Sequence, residues 1–346
     1  MIQSLTAVGF RCFREIRVEP LTRVNLFVGE NNAGKTSLLE AVELVAVGGV
    51  EGLTRSAMRR GEKILVKSEN GERFKDHIVD LAHLFFGHDL RVGSFEIRGH
   101  DQPDRWVKCK VRTYDTETWP GEALFFESHI TEQQNLGQNL TLSPQGGVIA
   151  PPSRSLQQPK AKVQFVAADS IDPAHLDQPW SDLVLTSGED EVIRSLQVIE
   201  PNLERLAFVG DLGGSRVPLV RLKGFGQRLH LGSLGGGLRH FLALVLNLLS
   251  AREGFLLVDE IDTGLHYSVM VDMWRLLAES AKRLDVQVFA TTHSLDCVRA
   301  LARLRKKQPE IAAEITVHRV EKGAQRTIAY DADEIVVAAD SHIEVR

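Results

Sequence analysis

One short stretch constrains this chain more than any other. The run Gly29-Glu30-Asn31-Asn32-Ala33-Gly34-Lys35-Thr36 fits the pattern GxxxxGK[ST]. An apolar run, Val24–Val28, precedes it and a helical pattern follows, which predicts a strand, a loop and a helix. The glycines let the backbone curl so that successive N–H groups point at a phosphate, and the helix start adds its positive dipole end. The sequence therefore predicts a phosphate-binding loop.

The residue types in this loop assign roles to its side chains. Lys35 supplies a compact cation for β- and γ-phosphates and is a predicted catalytic residue, while the Thr36 hydroxyl is a predicted Mg²⁺ ligand. The other predicted contacts to the nucleotide from this region are Gly29, Asn31, Asn32, Ala33, Gly34 and Ser37.

Polar residues follow two further apolar strands. Residues 255–258 end in Asp259 and Glu260, which predicts that Asp259 holds Mg²⁺ and that Glu260 polarises an attacking water. Residues 286–290 end in Thr-Thr-His-Ser, which includes His293. Because ligands lie at the carboxyl ends of parallel strands, we expect all three side chains beside the same phosphates, with His293 as a sensor of the γ-phosphate.

A glycine-rich segment precedes a strongly apolar helix that is predicted over residues 238–249. Glycines at a helix start expose N–H groups to an anion. The predicted nucleotide contacts in this segment are Ser233, Gly235, Gly236 and Gly237.

The hydrophobic pattern predicts an α/β fold. Strands that are apolar on both faces alternate with helices, which indicates a mostly parallel sheet covered on both sides. We expect the core at residues 1–50 and 163–346, with helices at 189–206, 267–284 and 296–307. Residues 51–162 are predicted to be an inserted, partly β lobe, with a flexible Gln/Pro/Gly-rich loop at about 133–160.

Composition bears on whether the chain binds nucleic acid or a membrane and on the cellular compartment that it occupies. The net charge is -5, whereas a dedicated nucleic-acid binder is usually basic. No apolar stretch is long enough for a bilayer, and three scattered cysteines fit a reducing cytoplasm. A local basic patch could still contact DNA, although interspersed acidic residues equally predict a solvated face. Its members would be Arg55, Arg59, Arg60, Lys63, Lys67, Arg73 and Lys75.

The order of these motifs resembles that of ABC-type ATPases, above all the branch that contains RecF, SMC-type and OLD-family proteins. Phe10-Arg11-Cys12-Phe13 before the loop, Asn31-Asn32 within it, and Asp-x-Gly-Leu-His at residues 262–266 are similar to the OLD-type subgroup. The resemblance covers residues 1–48 and 163–330 and implies an ABC-ATPase-like P-loop NTPase core. The glycine-rich signature departs from the usual Leu-Ser-Gly-Gly, because it reads Leu-Gly-Gly-Gly at residues 234–237 with Ser233 displaced.

The resemblance also implies a mode of action. Two ATP molecules would lie in a head-to-tail homodimer or higher oligomer, with Lys35, Thr36, Asp259, Glu260 and His293 of one copy facing the signature of the other. OLD-type proteins often carry a Toprim nuclease, and the segment after His293 is too short for one. We therefore expect an ATP-hydrolysing switch that controls a separate effector, with a Toprim-like nuclease suspected, in anti-phage defence or DNA repair.

Two alternatives from other functional classes stay open at this point. One is a DNA-binding module in which nucleotide gates access to DNA. The other is an interaction scaffold in which ATPase activity is marginal.

Overall fold

The chain forms two compact units. The structure, a computed structural model, describes residues 1–64, 78–88, 93–102, 104–114, 121–129, 135–141, 148–149, 162–168, 173–210 and 216–340. The first unit comprises Met1–Leu21, Asn31–Ala161 and Val320–Ile328, and the second comprises Thr22–Glu30, Lys162–Arg319 and Ala329–Arg346.

The described strands, in chain order, are β1 (Ser4–Phe10), β2 (Phe13–Val18), β3 (Val24–Val28), β4 (Lys63–Ile64), β5 (Ile78–Val79), β6 (Ser94–His100), β7 (Arg105–Tyr114), β8 (Gly121–His129), β9 (Asn135–Thr141), β10 (Val148–Ile149), β11 (Val163–Val166), β12 (Leu203–Gly210), β13 (Arg216–Leu222), β14 (Leu229–His230), β15 (Phe255–Val258), β16 (Gln287–Thr291), β17 (Ile315–Arg319) and β18 (Ile328–Tyr330).

The described α-helices are α1 (Lys35–Val47), α2 (Gly49–Arg59), α3 (Pro173–Ser181), α4 (Ser187–Leu196), α5 (Gly236–Ser250), α6 (Met270–Leu284), α7 (Leu295–Lys307), α8 (Pro309–Ala312) and α9 (Ala332–Asp340). Short 3₁₀ turns occupy Ala82–Leu84, Phe86–His88 and Leu231–Leu234. No described helix combines the length and the apolarity that crossing a bilayer requires.

The second unit contains the predicted parallel sheet. Its strand order is β11-β15-β16-β3-β17-β18, and the pairs from β11 through β17 are parallel. Every residue of β3, β15 and β16 is buried, which explains why these runs are apolar without alternation. Phe241 of α5 and Trp274 of α6 belong to the core cluster around this sheet. The α/β fold class is therefore confirmed.

The first unit is built on an antiparallel sheet with the order β2-β1-β6-β7-β8-β9. The division of the chain differs from the predicted boundaries, because residues 1–21 and α1 belong with this sheet and not with the parallel one. The reason is long-range pairing: β1 aligns with β6, for example Ala7 opposite Ile97. The helix α1 is buried almost throughout and contacts β1, β6 and β7.

Two local predictions were wrong in part. The helix predicted over 189–206 ends at Leu196 as α4, and Leu203 begins β12, which pairs with β13. Pro201 lies between them and disfavours helix for the residue before it. Within the loop predicted at 133–160, β9 and β10 form strands, and β9 pairs with β8 along its length. The other residues of that segment lie outside the described ones.

A buried ionic cluster ties α1 to its surroundings within the first unit. Arg11, in the turn between β1 and β2, approaches Glu40 at 3.0 Å and donates to Ser56 Oγ at 3.0 Å. Glu40 on α1 is 1% exposed and also accepts from Arg60 at 2.6 Å. Glu43 accepts two hydrogen bonds from Arg59, and burial raises the pKa of the Glu43 carboxyl against the opposing charge of Arg59. A buried charge in such a cluster is tolerated because it is paired.

This cluster predicts a large loss of stability when one partner is removed. We expect Arg11→Met to lower the free energy of unfolding by about 3 kcal/mol or more, because the buried Glu40 carboxylate then loses one of its two cations. The matched control is Arg55→Met, which breaks the more exposed pair between Arg55 and Glu51 and should cost about 0.5 kcal/mol. Urea unfolding measures both, and equal small losses would contradict this assignment.

Candidate functional site

The predicted phosphate loop has the backbone that such a loop needs. Gly29 and Gly34 have φ of 147° and 103°, and Asn32 has φ of 62°. Glycine adopts these angles without a steric penalty, and asparagine tolerates the left-handed region better than most residues. Helix α1 begins directly after Gly34, with no side-chain cap and no acidic residue in its first turn. This helix start is therefore suited to an anion.

Side chains of the loop divide into exposed and buried ones. Asn31 and Asn32 are exposed, whereas Ala33, Lys35 and Ser37 are buried, Lys35 with 5% of its surface exposed. The Ser37 hydroxyl lies 3.9 Å from the Cys12 sulfur. Ser37 therefore faces the β1–β2 turn of its own unit.

The turn that carries Cys12 and Phe13 leaves no room at Gly34. A Cβ on Gly34 would lie 2.4 Å from Phe13 Cζ and 2.7 Å from Cys12 Sγ. Glycine is therefore required at this position both for its backbone angle and for space. The Phe-Arg-Cys-Phe run, which sequence reasoning used only as a family marker, thus packs directly against the loop.

Both predicted carboxylates follow β15, and one hydroxyl from β16 bonds to the carboxylate of the first and to the backbone of the second. Thr291 Oγ1 donates to Asp259 Oδ1 at 2.6 Å and accepts from the Glu260 backbone N–H at 2.9 Å. Glu260 has φ of 51°, a left-handed conformation that costs a non-glycine residue about 1 kcal/mol or more. Strained residues of this kind are typical of functional sites, where the surrounding structure keeps them in place.

His293 lies beside Glu260 at the end of β16. Its Nε2 is 3.8 Å from Glu260 Oε1, and the two side chains are 38% and 47% exposed. The backbone N–H of Thr292 donates to the Phe27 carbonyl at 3.1 Å, next to the end of β3. Within the second unit, the carboxyl ends of β3, β15 and β16 thus meet at one edge, as predicted.

The oxygen donors at this edge suit a hard cation. Asp259 offers a carboxylate, and Mg²⁺ usually binds through one or two protein oxygens together with phosphates and water. Among the described residues, no group of three or more His, Cys, Asp and Glu side chains converges into a closed metal cage. Within the second unit, the Asp259 carboxylate therefore suits Mg²⁺ that is held jointly with a phosphate, and the Thr36 hydroxyl as a further ligand stays a prediction.

The glycine-rich segment before α5 contains residues that face open space and residues that pack within the second unit. Gly235, with φ of 100°, precedes α5, and a Cβ on Gly235 or Gly236 would meet no atom within 4 Å. Ser233 instead donates its hydroxyl to the His230 carbonyl at 2.7 Å. Gly237 packs against the Gly264 backbone. The role of these residues toward a nucleotide stays a prediction.

The basic patch is largely neutralised where the structure describes it. Arg55 pairs with Glu51, Arg59 with Glu43 and Arg60 with Glu40. Lys67, Arg73 and Lys75 lie outside the described residues. Each of these three arginines forms an ion pair within the first unit, which weighs against a DNA contact by them.

Sequence reasoning missed the threonines at the end of β16. It assigned a role to His293 and none to Thr291 or Thr292, although two hydroxyl residues directly after an apolar strand were a usable signal. It also gave no role to Asp262, whose Oδ1 accepts from Thr292 Oγ1 at 2.5 Å.

Comparison with known protein families finds two matches. Residues 4–149 match the family described as "AAA domain", and residues 181–297 match "AAA domain, putative AbiEii toxin, Type IV TA system". Neither match covers half of the chain.

Two relatives span different lengths of the chain. The chain is 22% identical over 340 residues to the "ATP/GTP phosphatase" of Helicobacter pylori, covering 89% of both proteins. It is 38% identical over 118 residues to the "DNA replication and repair protein RecF" of Idiomarina loihiensis, covering 32% of each.

Two solved structures share the fold. One is the SMC head bound to the C-winged helix domain of ScpA, with 14% identity, a TM-score of 0.54, and coverage of 95% of this chain and 97% of that one. The other is an Smc head domain with an extended coiled coil bound to the C-terminal domain of ScpA derived from Pyrococcus furiosus, with 13% identity, a TM-score of 0.51 and 99% coverage of both chains. At this identity the likeness concerns the fold alone.

The packing of Gly34 predicts a specific cost of adding one methyl group. We expect Gly34→Ala to lower the free energy of unfolding by about 2–4 kcal/mol, because backbone strain adds to overpacking against Phe13 and Cys12. Gly87→Ala is the matched control, since Gly87 also has a positive φ but an added Cβ meets no atom within 4 Å. It should cost about 1–2 kcal/mol. Calorimetric unfolding compares the two, and equal losses would remove the packing argument.

Proposed function

We propose that this chain is a RecF/SMC-like ABC-type P-loop ATPase, which hydrolyses ATP and forms a dimer when ATP binds. The observation that carries the proposal is the meeting of three strand ends in the parallel sheet. Gly29 follows β3, Asp259 and Glu260 follow β15, and His293 follows β16, at one edge. The name of the Helicobacter pylori relative agrees with nucleotide hydrolysis.

We assign the loop and the carboxylates to one nucleotide. The backbone N–H groups of the loop and the Lys35 ammonium bind the phosphates of ATP. Thr36 and Asp259 would hold Mg²⁺, which would neutralise charge on the phosphate oxygens. The further loop contacts are Gly29, Asn31, Asn32, Ala33, Gly34 and Ser37.

Glu260 is the proposed general base. Its carboxylate accepts a proton from the water whose oxygen attacks the γ-phosphorus, while the bond to the leaving oxygen of ADP breaks. The Thr291 hydroxyl on the Glu260 N–H keeps this residue in its left-handed conformation. His293, 3.8 Å from Glu260, orients the carboxylate and senses the γ-phosphate.

The exposed start of α5 supports the dimer proposal. Gly235 and Gly236 leave open space in front of an uncapped helix start, which suits an anion that arrives from outside. We propose that Ser233, Gly235, Gly236 and Gly237 meet the γ-phosphate held by a second copy of this chain. ATP binding would then be coupled to dimerisation and hydrolysis to release.

The biological setting is also a proposal. Similarity to RecF favours a DNA transaction, and the toxin–antitoxin family description favours anti-phage defence. We propose a cytoplasmic switch that controls a separate effector protein, such as a Toprim-like nuclease.

The effector should co-purify with the ATP-locked Glu260→Gln chain and be absent from a Lys35→Ala chain that cannot hold ATP.

Replacing the proposed base tests the hydrolytic assignment. We expect Glu260→Gln to release phosphate about 10²-fold or more slowly, because the amide cannot accept the proton of water. The same chain should keep ATP and run as a dimer by light scattering in its presence. Lys35→Ala is the control: it should bind no ATP, and its mass by light scattering should not change when ATP is added. Undiminished phosphate release by Glu260→Gln would overturn the assignment of the base.

A further inference from the structure

The turn at Asp262, Thr263 and Gly264 contacts two elements of the second unit that are far apart in sequence. We call it the 262–264 turn. It follows Glu260 and Ile261 at the end of β15, and the Ile261 N–H donates to the Thr291 carbonyl at 3.0 Å. Nothing in the hydrolytic assignment above uses its side chains.

The first contact is with the start of α5. A Cβ on Gly237 would lie 2.1 Å from the Gly264 carbonyl oxygen, and a Cβ on Gly264 would lie 2.9 Å from the Gly237 nitrogen. The two backbones therefore touch directly, with no side chain between them. Because no space separates the two backbones, movement of the first turn of α5 displaces the 262–264 turn.

The second contact is with the end of β16. Thr292 Oγ1 donates to Asp262 Oδ1 at 2.5 Å and accepts from the Ser294 N–H at 2.9 Å. Thr292 has no exposed surface, so this bond is shielded from water. It attaches the 262–264 turn to the residue that directly precedes His293.

The side chain of His240 is a second link between α5 and the Asp262 carboxylate. It lies on α5 about one helical turn after Gly237 and is fully buried. Burial lowers the pKa of His240, and the negative charge of Asp262 works in the opposite direction. The charge of Asp262 thus acts on His240 of α5, while its carboxylate accepts from Thr292 at the end of β16.

We propose that Asp262 is a positioning residue for the hydrolysis assigned above, on which this inference rests. The contact between Gly237 and Gly264 makes the position of the Asp262 carboxylate depend on the start of α5. The hydrogen bond from Thr292 then makes the positions of His293 and Glu260 depend on Asp262. Docking of α5 on a second copy thereby changes the position of the Glu260 carboxylate, so that hydrolysis is fast only in the dimer.

The bond between Asp262 and Thr292 can be removed without changing volume. Thr292→Val replaces the hydroxyl by a methyl group, so Asp262 loses its donor and His293 loses its restraint, while the core stays filled. We expect kcat for ATP hydrolysis to fall about 10–100-fold with KM within about twofold of the wild type, as for other supporting hydrogen bonds around a reactive group.

Two matched variants complete this measurement. Thr292→Ser keeps the hydroxyl and should restore kcat to within about threefold of the wild type. Ser268→Ala removes a hydroxyl that bonds the exposed His266 outside this path, and it should leave kcat unchanged. A Thr292→Val chain with the kcat of the wild type would overturn the inference, even where Glu260→Gln abolishes turnover as proposed.

Hydrogen–deuterium exchange tests the coupling without activity. In Thr292→Val, backbone amides at residues 236–240 as well as 259–264 should exchange about fivefold faster, the effect of losing one net hydrogen bond. Faster exchange confined to residues 290–295 would show that the turn does not couple α5 to β16 and would overturn the inference. Absent phosphate release by the wild-type chain would instead refute the proposed function, while the exchange result still decides the coupling.

Discussion

Parallel pairing of β15, β16 and β3 is the constraint on which the rest of the site depends. Leu257 aligns with Phe289, and Ala290 aligns with Leu26, so the three strands end at the same level. All three strands are buried along their whole length, and a shift of register by one residue would exchange the two packed faces of a strand. Whatever follows these strands in sequence is therefore brought together in space.

The features that the sequence predicted correctly are those written in short, local patterns. The loop before Lys35 follows from its glycines, and the carboxyl edge follows from apolar strands that end in Asp259, Glu260 and His293. Each pattern contains its own physical reason: a backbone that must curl, or a buried strand that must end in polar residues. The meeting of Asp259, Glu260 and His293 at one edge then follows from parallel pairing of β15 and β16.

Features that depend on distant contacts could not be predicted in this way. The N-terminal strands join the sheet of β6 to β9 because β1 finds its partner in β6, and the sequence alone does not reveal that pairing. The left-handed backbone of Glu260 and the hydroxyl of Thr291 that supports it are equally invisible until β15 and β16 lie side by side. The prediction of one helix through residue 206 was wrong because the apolar residues of α4 and β12 together fit a helical spacing. Pro201, which lies between the two elements, is the residue that indicated the break.

The arginines of the first unit illustrate how charge in a sequence is ambiguous. Arg59 and Arg60 look like a basic surface, yet Glu43 and Glu40 on α1 neutralise them, and Arg11 completes the cluster from the β1–β2 turn. The same turn places Cys12 and Phe13 against Gly34. The helix that begins after the phosphate loop is thus held by packing at Gly34, the residue before it, and by ion pairs farther along.

We propose that the loop around Lys35 and the carboxylates after β15 hold one nucleotide with its cation. A crystal structure of the Glu260→Gln chain grown with ATP and Mn²⁺, an anomalous scatterer that accepts the same oxygen ligands as Mg²⁺, locates that cation directly. The account predicts one Mn²⁺ peak per chain, bound to the Thr36 hydroxyl and a phosphate oxygen and adjacent to Asp259. A nucleotide with its Mn²⁺ anywhere else on the chain would contradict it.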